Sequence, residues 1–137
     1  MVDINQVRAD VNGACSRYEQ ELQQIRQLEN AWNTAGDDSR RQALKNELYA
    51  VRQRHEACQN YLEQMKRQMI KAEDYFQNKI MEYEQSNRVF GELSKFQFGG
   101  SAVTASKNLS RTQAELQENL QVTQAVIEKI DSTLRIG

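Results

Sequence analysis

The sequence predicts an all-α fold: an elongated antiparallel coiled coil of three helices, a long central helix flanked end to end by two shorter ones. Three observations carry this. The chain has no proline and only six glycines in 137 residues, so little interrupts helices. Gln, Glu, Lys, Arg, Ala and Leu dominate, all good helix formers, while β-branched and aromatic residues are sparse. Apolar residues recur at alternating spacings of three and four, the signature of a coiled-coil seam. A mean hydropathy of −0.82 suits a thin rod with much surface better than a globule, which would need a thicker core.

The first helix is expected over about residues 4–33, opened by Asp3 with Gln6 three positions on, a capping signal. Its seam reads Ile4, Val7, Val11, Ala14/Cys15, Tyr18, Leu22, Ile25, Leu28, Trp32. Thr34-Ala35-Gly36-Asp37-Asp38 reads as a turn, with Gly36 ending the helix in the left-handed conformation and Asp38 or Ser39 capping the next. The second helix then runs over about 39–95, ~85 Å at ~1.5 Å per residue. Its seam is Leu44, Leu48, Val51, His55, Cys58, Leu62, Met65, Met69, Ala72, Phe76, Ile80, Tyr83, Asn87, Phe90. A compact bundle with this helix broken between Ser86 and Gly91 is the alternative; glycine in a helix interior costs only ~1 kcal/mol, so it permits a break without requiring one. Phe98-Gly99-Gly100 forms the second turn, with Ser101 as N-cap of a last helix over about 102–135. The last seam is Leu109, Thr112, Leu116, Leu120, Thr123, Ile127, Ile130, Leu134. The whole chain, 1–137, reads as a single helical domain.

In an antiparallel hairpin, the numbers of facing residues add to a constant set by the turn. Around Gly36/Asp37 this places Ile4 on Met69, Val11 on Leu62, Cys15 on Cys58, Tyr18 on His55, Leu22 on Val51 and Ile25 on Leu48. Around Gly99/Gly100 it places Leu109 on Phe90, Leu116 on Tyr83, Thr123 on Phe76, Ile127 on Ala72, Ile130 on Met69 and Leu134 on Met65. Seam meets seam throughout, so both outer helices are expected antiparallel to the central one, overlapping near residues 65 to 69. Charge agrees: residues 1–38 carry seven acidic and three basic side chains, and residues 39–71 eight basic and three acidic. The preference is modest, since exposed pairs contribute little each.

A formal net charge of −1 argues against a nucleic-acid binder, and no apolar run approaches the roughly 18 residues of a membrane span. The N-terminus, Met1-Val2-Asp3-Ile4-Asn5-Gln6, lacks a basic region followed by an apolar one. The expectation is a cytoplasmic protein, with export by a signal-peptide-independent route left open.

Little suggests chemistry. Cys15 and Cys58 face each other, either as a disulfide or as two reduced thiols filling a small space. His55, the only histidine, lies one turn from Cys58 without a fourth ligand, so no metal site is expected. Its place opposite Tyr18 points to a Tyr–His hydrogen bond rather than to catalysis. Carboxylates are scattered, serines and threonines lack a base, and Gly99-Gly100 lacks the further glycines and lysine of a phosphate loop. No enzyme, no cofactor and no small-molecule substrate are expected. Off the seams, Tyr49, Tyr61, Ile70, Tyr75, Met81, Val122 and Val126 suggest a contact surface for a helical protein partner or a second copy.

The segment Leu93 to Leu134, under a third of the chain, resembles the WXG family of type VII secretion, small helical hairpins with Trp-x-Gly in the turn. Phe98-Gly99-Gly100 is similar to that motif with Phe for Trp, followed by Ser101-Ala102 at the helix start. Trp32 and Gly36 place the same residue types at the other turn with a different spacing, and the family's tail signal, a Tyr followed four residues later by an acid, is absent. The resemblance implies an effector partner or targeting chaperone of that secretion route. The composition leads first to a coiled-coil adaptor or assembly protein; a phage or filament structural component fits the same rod.

Overall fold

The computed structural model describes residues 3–94 and 100–136, with residues 87, 90–94 and 100–110 described through their backbone alone. The chain is all-α: α1 is Ile4–Thr34, α2 is Asp38–Ser94 and α3 is Gly100–Arg135. Two compact units emerge, one made of Met1–Arg67 with Val126–Gly137, the other of Gln68–Ala125. The α2 helix continues through Ser86 and Gly91 without interruption, so the break that glycine would permit is not taken.

The helix ends follow local hydrogen-bond chemistry. Asp3 caps α1, its carboxylate accepting from the Asn5 amide at 3.0 Å, which satisfies one of the first-turn N–H groups that have no helical partner. The exit from α1 differs from expectation. Ala35, not Gly36, is the C-cap, in extended conformation, and Gly36 does not adopt the left-handed conformation. The Thr34 hydroxyl donates back to the carbonyls of Asn30 and Ala31, and the Arg41 guanidinium donates to the Ala35 carbonyl at 2.8 Å. Side chains thus satisfy the terminal carbonyls, and no left-handed residue is required. The cap of α2 is Asp37, one residue earlier than expected: its carboxylate accepts from the Ser39 amide at 3.2 Å and its carbonyl from the Arg41 amide at 3.0 Å. At the other turn Gly100 is already helical; Phe98 and Gly99, the rest of that motif, lie outside the described residues.

In the unit containing Met1–Arg67, α1 and α2 pair as the sequence predicts. The Tyr18 and His55 rings meet with centroids 4.2 Å apart, Cys58 Sγ lies 3.3 Å from the Ala14 carbonyl, and Ile25 packs with Leu48 and Val51, flanked by Leu28. An exposed ion pair, Arg52–Glu29 at 2.6 Å, borders the seam. The α3 tail in the same unit is tied to α2 by Lys66–Asp131 at 2.6 Å, within two residues of the expected partner. Val11, Ala14, Cys15, Leu62, Ile130 and Thr133 are the most completely shielded core residues here and come from all three helices.

The α3 tail corrects the predicted seam. Its buried stripe is Thr123, Val126, Ile130 and Thr133, with Ile127 and Leu134 only half-buried. Val126, expected on a partner-contact surface, is 2% exposed and belongs to the core. The reason is chemical. The Thr123 hydroxyl donates to the Asn119 carbonyl and the Thr133 hydroxyl to the Lys129 carbonyl, both at 2.8 Å. Each threonine consumes its polarity within its own helix and presents a valine-like surface. Trp32 also departs from its expected seam place: it is 39% exposed, its ring under the Arg41 guanidinium at 5.1 Å.

In the unit Gln68–Ala125, segments of α2 and α3 pair alone, linked by Gln113 donating to Glu84 at 3.3 Å. Met69, Ile80 and Thr123 are buried, whereas Ala72, Phe76, Tyr83, Leu116 and Leu120 are half-buried. Two helices have one mutual face, and residues at its edges stay wet.

Leu62→Ala is expected to destabilise the chain by about 2–5 kcal/mol, the range for a buried leucine that leaves a cavity. Thr133→Val is expected to change stability by less than about 1 kcal/mol, since it removes only a hydrogen bond internal to α3. Urea denaturation of both variants checks this; a Leu62→Ala loss under ~1 kcal/mol would mean that the three-helix core is not closed around it.

Candidate functional site

Among the described residues, a cluster of polar groups lies in the α1–α2 seam. Helical spacing of three places Cys15, Tyr18 and Glu21 on one side of α1, and His55 and Cys58 on the facing side of α2. The antiparallel register brings the two sets into adjoining layers. Tyr18 and Cys15 are buried, Cys58 and His55 half-buried.

Tyr18 and His55 meet in a tilted ring contact, their planes inclined by 36°, in place of the expected hydroxyl–imidazole hydrogen bond. His55 instead turns Nδ1 toward Glu21 Oε1 at 3.6 Å. That separation exceeds hydrogen-bond reach. Both atoms are closed off from solvent and neither has a hydrogen-bond partner. The contact is close enough for an ion pair when the imidazole is protonated.

Cys15 and Cys58 are both free thiols. The sulfur of Cys58 donates to the Ala14 carbonyl, 3.3 Å away, and is not in a disulfide. Burial pushes the Cys58 thiol above its ordinary value of 9.0, and the adjacent Glu21 carboxylate pushes it further, against the opposing effect of Arg17. Burial likewise raises Tyr18 above 10.0, with smaller contributions from Cys58 and Glu63. Cys58 also reaches the surface: with Arg17, Glu21, Arg54, Ala57 and Tyr61 it lines an open groove of about 440 Å³. Among the described residues neither Arg17 nor Arg54 is in a salt bridge, the ion pairs being Arg52–Glu29, His55–Glu21, Lys66–Asp131 and Lys79–Glu82.

Arg17, Glu21 and Arg54 were not legible as site residues in the sequence. Glu21 carries the one available signal, its position three residues after Tyr18, which puts it one turn further along the same face. Among the described residues, no group of three or more His, Cys, Asp or Glu is arranged to hold a metal ion, and no helix is long and apolar enough to cross a membrane.

The residues singled out for partner contact fall into three groups. Tyr49, Ile70, Tyr75 and Met81 are exposed, at 64%, 42%, 52% and 61%. Tyr61 and Val122 are half-buried, Tyr61 in the Cys58 groove. Val126 is core. Some of the exposed set have local company: Tyr49 accepts from Gln53 at 2.7 Å, and Tyr75 stands edge-on to Phe76 at 5.7 Å with the Lys79 ammonium 5.8 Å from its ring. Val89 of α2 is exposed as well. No family model, curated protein or solved structure matches the chain.

Both raised groups are acids whose neutral form the fold favours. The stability they confer is complete below their ordinary values of 9.0 and 10.0 and is lost as pH rises through the higher folded values. Wild-type stability should therefore decline above about pH 9, and more gently in Cys58→Ala and Tyr18→Phe. Chemical denaturation from pH 7 to 11 checks the sign; an equal decline in all three proteins would show that neither group is linked to folding.

Proposed function

We propose that the chain is a non-catalytic coiled-coil interaction or assembly protein, and that the Gln68–Ala125 unit is where it takes up further helices from a second copy of itself. One observation carries the reading: within that unit the seam residues Phe76, Tyr83, Leu116 and Leu120 stay half-buried, and Ile70, Tyr75, Met81 and Val89 stand exposed. Two paired helices with a half-covered seam are an unfinished bundle, and a second such pair completes a four-helix arrangement.

The energetics favour a reversible association. Completing the burial of a half-covered leucine or aromatic side chain is worth roughly 1 kcal/mol. In a two-fold pair both copies contribute, so the four seam residues supply about 8 kcal/mol. Against this stands at least ~4 kcal/mol for lost rigid-body freedom. The balance corresponds to a weak, concentration-dependent dimer. Basic and acidic side chains nearly balance along Gln68–Ala125, so a second copy meets no like-charge field.

Sedimentation velocity over a range of concentrations is the direct experiment. The wild-type chain is expected to dimerise reversibly, and Leu116→Glu or Phe76→Glu to weaken the dimer at least tenfold, about 1.4 kcal/mol, with helical circular dichroism retained. A chain that stays monomeric at every concentration, with the variants indistinguishable from it, sinks the self-association reading. Stoichiometric capture of a helical protein that the same variants abolish would assign the surface to that partner instead.

A further inference from the structure

We propose that Cys58, in the groove flanked by Arg17 and Arg54, is a site of mixed-disulfide formation with an anionic low-molecular-weight disulfide, and that Cys15 resolves it into an internal Cys15–Cys58 bond clamping α1 to α2. Three independent observations carry this. The first is juxtaposition. Tyr18 and His55 are in ring contact at 4.2 Å, and one turn back along α1 and one turn on along α2 lie Cys15 and Cys58. The Cys58 sulfur touches the carbonyl of the residue just before Cys15 at 3.3 Å. Facing positions of paired helices are where cross-helix disulfides can close.

The second is access. Cys15 is 1% exposed, whereas Cys58 is half-buried and lines the open groove. An external reagent meets Cys58 first, and Cys15, shielded from it, is the resolving thiol. The third is charge. Two guanidiniums, in no salt bridge among the described residues, line the groove against one carboxylate, Glu21, which acts on the Cys58 sulfur more strongly than Arg17 does. Such a rim concentrates a disulfide that carries carboxylates, of which oxidised glutathione is the available probe.

The chemistry is thiol–disulfide exchange. Cys58 gives its proton to solvent, and its thiolate attacks one sulfur of the small disulfide. The S–S bond breaks, a thiolate leaves and takes up a proton, and a mixed disulfide remains on Cys58. Cys15 then loses its proton, attacks the Cys58 sulfur and expels the second small thiolate, which is protonated in turn. Two protein thiols are oxidised by two electrons, and one small disulfide is reduced to two thiols. Because the fold favours the neutral Cys58 thiol, the first step accelerates with rising pH.

The test is intact-mass spectrometry of the full chain incubated with oxidised glutathione. Wild type is expected to pass through a single glutathione adduct to a product lighter than the reduced chain by two hydrogens. Cys15→Ser and Cys15→Ala should both stop at the adduct, and Cys58→Ser should form none while folded. The internal disulfide should raise Tm by roughly 10 °C. The double variant Arg17→Gln/Arg54→Gln should lower the rate with oxidised glutathione, relative to neutral hydroxyethyl disulfide, by about fivefold. A wild-type adduct that never resolves overturns the pairing of Cys15 with Cys58. An adduct on Cys15 in the Cys58→Ser protein overturns the order of attack. A rate ratio unchanged in the double variant overturns the role of the arginines.

Discussion

The structure depends on the register of α1 against α2, and that register is set by a layer of small residues. Ala14, Cys15 and Cys58 let the helix backbones approach closely enough for the Cys58 thiol to bond the Ala14 carbonyl at 3.3 Å. The large Tyr18–His55 ring pair fills the next layer. Sliding α1 by one turn would set a ring against the small layer and leave a void in the other, and misfit of either kind is destabilising. Charge cannot do this work. The Arg52–Glu29 pair is about half exposed on both sides and is worth ~0–1 kcal/mol. Each buried Val, Leu or Ile contributes about 1.5–3 kcal/mol. The acidic balance of α1 and the basic balance of the facing half of α2 agree with a pairing that burial decides.

The same contrast explains which parts of the structure were legible in the sequence. Three helices, their order and the α1–α2 register follow from spacing alone, because proline is absent and the seam layers differ in volume. The caps were displaced by one residue, since Asp37, Asp38 and Ser39 are all competent N-caps and the choice depends on where Arg41 reaches. The rotation of the α3 tail was not legible. Thr123-Ile127-Ile130-Leu134 and Thr123-Val126-Ile130-Thr133 both satisfy three–four spacing, and a reading by hydropathy prefers the first. The structure takes the second because Thr133 spends its hydroxyl on Lys129 and is small enough for a core shared by three helices. Trp32 fits its spacing too, yet lies at the end of α1, where the cation of Arg41 covers its ring.

The two units show how helix number governs closure. Where segments of three helices combine, in the unit of Met1–Arg67 with Val126–Gly137, the residues at their centre lose nearly all exposure. Where two combine, between Gln68 and Ala125, aromatic and leucine side chains of good size stay half-wet. Composition is not the cause, since Phe76, Tyr83, Leu116 and Leu120 are larger than Val11, Thr133 or Cys15. A pair of helices has only one mutual face, and no choice of side chain can cover its edges. An apolar surface of this kind persists in a folded chain only as scatter or as an interface.

The polar layer around Glu21 and His55 ties the small-residue register to the cysteines. Glu21 Oε1 and His55 Nδ1 lie 3.6 Å apart there without a hydrogen bond, in contrast to the wholly apolar Ile25–Leu48–Val51 cluster. Local opening of the seam here would release the Cys58 thiol from Ala14 and uncover Cys15 together. Both thiols lie one turn from this polar layer, so a covalent bond between them would act beside it. A bond of that kind changes how often α1 separates from α2.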